Sequence, residues 1–84
     1  MLSVFMLLTA LSVSNISDVD LETYYWDCDT AYMKGTLGGQ DMNSCLKITE
    51  QFQLVKFQND RDAFLQYWNE NKHKQWEHRG YFRI

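Results

Sequence analysis

The chain has 84 residues and a net charge of −3; 15% of its residues are aromatic, with four glycines and no proline. These values exclude a disordered chain, which is poor in aromatics, and a loop-rich all-β fold, which needs turn residues at short intervals. The negative charge argues against nucleic acid as a partner, because nothing supplies a general attraction for phosphate.

A chain this short forms one domain and buries only about 60% of the surface its unfolded form exposes. A disulfide, a metal or a partner is expected to supplement so small a core. Charge is unevenly spread. Asp18, Asp20, Glu22, Asp27 and Asp29 fall in a stretch with no basic residue, whereas Lys72, Lys74, Arg79 and Arg83 crowd the C-terminal end. The two ends are expected to attract each other or to form solvated faces.

Residues 1–17 carry no charged side chain. The apolar run Leu2 to Val13 has the length of a signal-peptide core and falls short of the ~20 residues that span a bilayer. Ala10-Leu11-Ser12 or Ser12-Val13-Ser14 offers small residues for cleavage, so residues 1–14 are predicted to be a signal peptide. No Lys or Arg precedes the run. The alternatives are an uncleaved anchor or a buried helix in a cytosolic protein, although a helix apolar on all sides needs more cover than the remaining chain provides. The mature form is predicted to have no stable membrane span and to be periplasmic or secreted.

The region 18–84 is predicted to be a single all-α domain, a small three-helix bundle. Leu21, Tyr24, Tyr25, Cys28, Ala31 and Tyr32 recur with helical period, giving a first helix over 20–34, capped by Asp18 or Asp20 and ended by Gly35. Gly35 to Gln40 is the turn. Asp41 is the expected cap of a second helix over 41–57. Its buried face reads Met42, Cys45, Ile48, Phe52 and Val55, widened by Leu46 and Leu54. Asn59 with Asp62 resembles a capping arrangement for a third helix over 60–77, stopped by Gly80. No Gly or Pro separates the second and third helices, so a single kinked helix is an alternative.

Cys28 lies seven residues before Gly35 and Cys45 four residues after Asp41, so both sit at similar height above the turn, on predicted inner faces. A disulfide between them, clipping the helical hairpin, is expected in an oxidising compartment; the alternative is two buried free thiols. Closing that loop should stabilise the fold by about 3 kcal/mol on the chain-entropy model.

No motif carries recognisable catalysis, and no catalytic residue or cofactor is predicted. His73 and His78 are five apart, which places them on different helix faces, so no metal site is predicted. Trp68, Lys72 and Trp76 fall at i, i+4, i+8 and put a cation between two indoles. That stripe fits an internal cation–π ladder or a contact face, the alternative being Trp68 in the core with Trp76 covering its edge. Tyr24, Tyr25 and Trp26 are consecutive and cannot all face one core. Trp26, Trp68, Lys72, Trp76 and Arg79 together form the candidate binding surface.

The run Gln40-Asp41-Met42-Asn43-Ser44-Cys45, the upstream Cys28 and the later Trp76-Glu77-His78-Arg79 resemble elements of the small exported helical domains of the LprI-type lysozyme-inhibitor family. The further cysteines at that family's C-terminal end have no counterpart here. The resemblance implies a bacterial periplasmic setting and a protein partner. The expected function is therefore non-enzymatic binding of a protein or cell-envelope component. A self-associating structural protein and a small enzyme or metal protein are the alternatives.

Overall fold

A computed structural model describes residues 17–82 and contains three helices: α1 (Asp18–Lys34), α2 (Gly39–Phe57) and α3 (Arg61–His78). The fold is all-α, a three-helix bundle. The predicted signal peptide at 1–14 lies outside the described residues. Among the described residues no helix is long and apolar enough to cross a membrane.

Helix α1 starts two residues before the expected position. Ser17, in an extended conformation, is the cap, and its hydroxyl accepts from the Asp20 backbone N–H at 3.1 Å. Asp18 and Asp20, expected as caps, lie inside the first turn, where their charge faces the positive end of the helix dipole. At the other end Gly35 takes φ 75°, and Thr36 N–H reaches the Ala31 carbonyl at 3.0 Å. That left-handed closure is why a glycine stands there.

Helix α2 also starts early. Its cap is Gly38, because the first helical bond runs from Met42 N–H to the Gly38 carbonyl at 2.9 Å, and Asp41 sits in the first turn instead of capping. Gln58 (φ 49°) and Asn59 (φ 64°) then both turn left-handed, and their N–H groups close on Leu54 and Gln53. Two such residues end a helix, so α2 and α3 are separate. Asn59 cannot cap α3 from that conformation. Asp60 does so, accepting from Ala63 N–H at 3.1 Å.

The core is aromatic. Leu21, Tyr25 and Trp26 of α1, Phe52 of α2 and Phe64 of α3 are buried together, with Ile48, Phe57, Tyr67 and Trp68 packed at its margin. Tyr25 stacks on Phe52 with ring centres 4.6 Å apart, and meets Phe64 and Trp26 edge-on. Of the seven apolar residues expected on the inner face of α2, only Phe52 is buried; Leu46, Leu54 and Val55 are exposed. The apolar stripe of α2 is wider than the surface its two neighbours cover. Cys28 and Cys45 form a disulfide that joins α1 to α2, with Cα atoms 5.6 Å apart.

Candidate functional site

Two carboxylates on α1, Glu22 and Asp29, are seven residues apart and so lie on one face of the helix. Each gathers aromatic donors. Asp29 Oδ2 accepts from Trp76 Nε1 at 2.8 Å and from Trp68 Nε1 at 3.2 Å. Glu22 Oε2 accepts from Trp26 Nε1 at 3.1 Å and from the Tyr67 hydroxyl, while its Oε1 lies 3.8 Å from Lys56 Nζ. Burial, then the hydrogen bond to Glu22, push the Tyr67 phenol up to about 12. Burial, and next the neighbouring Asp29 charge, raise Tyr25 well above the ordinary phenol range.

This arrangement corrects the expected contact surface. Trp26 is 1% and Trp76 2% exposed, so neither is available to a partner. An indole can be fully buried where its N–H finds an acceptor, and α1 supplies one to each. Trp68 and Lys72 are half-buried. Lys72 Nζ stands 4.1 Å from the Trp68 ring centre and 5.9 Å from that of Trp76, so the cation does lie between two indoles, as an internal ladder. Arg79 ties the end of α3 to α1: its Nε donates to Asp27 Oδ1 at 2.7 Å, its Nη1 to Gln75 Oε1 at 2.6 Å, and its carbonyl accepts from Lys34 Nζ at 3.0 Å. The acidic and basic ends of the chain thus meet through Asp27 and Arg79. Three of the five residues expected to form a contact surface, Trp68, Trp76 and Arg79, instead hold α3 against α1. Trp26 is buried with its N–H on Glu22 of its own helix, and Lys72 lies over the two α3 indoles.

His73 and His78 are both exposed, and among the described residues no three His, Cys, Asp or Glu side chains converge as a metal site would require. His73 meets the edge of Trp76 with ring centres 5.3 Å apart.

The open apolar surface is elsewhere. A groove of about 280 Å³ runs between α1 and α2 beside the disulfide, lined by Cys28, Tyr32, Leu37, Met42, Cys45 and Leu46 among others. Tyr32 is 60% and Leu46 55% exposed. Both were read from the sequence as core. The signal that would have separated them is position: each stands at the margin of its helix's apolar stripe, beside a cysteine whose bridge draws the helices together and leaves the margins facing outward.

Comparison of the chain with protein-family models, with curated proteins and with solved structures finds no match in any of the three.

Proposed function

We propose that the protein is an exported, non-enzymatic binding module that works in the periplasm or outside the cell, on a protein partner. The observation that carries this reading is the groove at the Cys28–Cys45 bridge, where Tyr32 and Leu46 present large apolar side chains to solvent on a cross-linked frame. A bridge of this kind persists in oxidising compartments, which supports export. Exposed apolar side chains around a rigid concavity favour a partner that buries apolar groups of its own. The LprI-type resemblance of the run ending in Cys45 points to the same setting and the same class of partner.

The test is site-specific photocrosslinking in the host. A photoreactive residue at Leu46 should give a discrete adduct with one envelope protein, and Tyr32→Lys in the same chain should abolish it. The control position is Glu70, exposed on α3. Equal adducts from Glu70, or adducts formed only with other copies of the chain, would reject the reading.

A further inference from the structure

We infer that the Cys28–Cys45 bridge is a redox switch on folding: the bundle is assembled when the bridge is closed and comes apart when a dithiol opens it. Three observations meet at this point, the first being how little besides the bridge holds the bundle together. Only six apolar side chains are buried among the described residues, so little apolar area holds the helices together without the bridge. The cysteines are 17 positions apart, and closing a loop of that size shifts the folding equilibrium by about two powers of ten. A domain this small has little margin above that shift.

The second observation is access. Cys28 and Cys45 are both half-buried and line the open α1–α2 groove, so a thiolate can approach a bridge sulfur from solvent. The third is adjacency. Asp29, next to Cys28, holds Trp68 and Trp76 through one oxygen, so the residue that docks α3 is fixed in place by the bridge beside it. Loss of the bridge leaves α1 and α2 joined only by non-covalent contacts such as the Tyr25–Phe52 stack, and loosens the helix that carries the acceptor of both indoles.

The chemistry is ordinary thiol exchange. A reductant thiolate attacks one cysteine sulfur, the S–S bond breaks, and the other cysteine leaves as a thiolate that takes a proton. The second thiol of the reductant then displaces the first cysteine. Cys28 and Cys45 gain two electrons and two protons, and the dithiol becomes its own disulfide. For an exported chain, such a switch holds the reduced form unfolded before transport and folds it only after a disulfide-bearing oxidant exchanges with the two thiols, taking their two electrons and two protons to become a dithiol.

The experiment uses the protein as isolated from its host and follows helix content by circular dichroism and tryptophan emission on heating. Oxidised protein should unfold in one cooperative step. Dithiothreitol should lower the midpoint by more than about 10 °C and shift the emission to the red at growth temperature, with both changes reversed by reoxidation. A Cys28→Ala/Cys45→Ala double variant should behave as the reduced chain. The inference is overturned if the reduced chain or the double variant keeps the oxidised midpoint and emission, or if reoxidation fails to restore them. Because the chain is tested alone, this outcome is independent of whether a partner is found by crosslinking.

Discussion

Asp29 and Trp76, 47 positions apart in sequence, meet across the α1–α3 interface, where the indole Nε1 donates to carboxylate Oδ2 at 2.8 Å. The same oxygen accepts from Trp68, so one carboxylate satisfies two indoles. Asp29→Ala strands both donors and should cost about 2–4 kcal/mol, since hydrogen bonds to charged groups are the stronger kind and unpaired buried donors are penalised. Asp29→Asn keeps a carbonyl oxygen for the two indoles and loses only the charge, so about 1 kcal/mol is expected. Urea unfolding followed by tryptophan emission distinguishes the pair. Equal losses for the two variants would show that the charge, not the acceptor geometry, holds α3.

Burial separates the tryptophans. Trp26→Ala and Trp76→Ala should each cost about 3–5 kcal/mol, which approaches the whole stability of a small domain and should leave much of the chain unfolded. Trp68 is only half-buried, so Trp68→Ala should leave a cooperative transition at a lower midpoint. Lys72→Ala, which removes the cation over the Trp68 ring, should cost about 0.5–1 kcal/mol. Circular dichroism melts of the four variants give this order directly.

Alkaline pH should weaken the fold. The Tyr67 phenol is raised from its ordinary value near 10 to about 12 in the folded protein, and Tyr25 is raised further. The folded state therefore favours the protonated phenols. The Tyr67 contribution is fully present below pH 10 and is lost as pH rises from there through about 12, and the loss from Tyr25 continues to higher pH. Tyr67→Phe removes the Tyr67 share of that dependence, so its unfolding midpoint should fall less between pH 9 and 11 than that of the parent. A parallel fall in both proteins would reject the assignment to Tyr67.

Local sequence chemistry made much of the fold legible. Helical periodicity placed three helices, and Gly35 and Gly80 marked two of their ends. The matched heights of Cys28 and Cys45 about the Gly35 turn gave the bridge. Capping was less legible. Ser17, Gly38 and Asp60 won over stronger-looking neighbours because the cap must be extended, and the left-handed closure at Gln58-Asn59 carries no glycine to announce it. The contact surface was least legible. Trp26 and Trp76 look like binding residues by type; the acceptor for Trp26 is one turn back at Glu22, whereas only the tertiary meeting of Trp76 with Asp29, 47 positions away, shows why that indole is interior. Tyr32 and Leu46 look like core by periodicity, and they are exposed because α3 covers other faces of α1 and α2.

Left-handed residues close two helices, Gly35 after α1 and Gln58 after α2, and both conformations favour glycine, so gaining it at one and losing it at the other should shift stability in opposite directions. Gln58 at φ 49° holds a conformation that costs a side-chain-bearing residue roughly 1–2 kcal/mol. Gln58→Gly relieves that strain but adds freedom to the unfolded chain, leaving a net gain of about 0.5–1 kcal/mol. Gly35→Ala introduces the same strain at φ 75°, where space is open within 4 Å, and should cost about 1 kcal/mol. The two denaturation midpoints should move in opposite directions.

Export and the bridge can be read from one intact-mass measurement on protein taken from its native host. A signal peptide ending near Ser12 or Ser14 should be gone, so the mature chain should begin within a few residues of the Ser17 cap of α1. The closed bridge should leave the mass about two units below that of the fully reduced chain. The two readouts are separable: cleavage reports passage through the export route, and the mass deficit reports the redox state at the destination. A full-length, fully reduced chain would place the protein in a reducing compartment, and the groove at Tyr32 and Leu46 would then belong to a chain without its staple. A cleaved but reduced chain would keep the export route while locating the protein where thiols stay open. Only a cleaved and bridged chain matches a binding module whose frame depends on the disulfide.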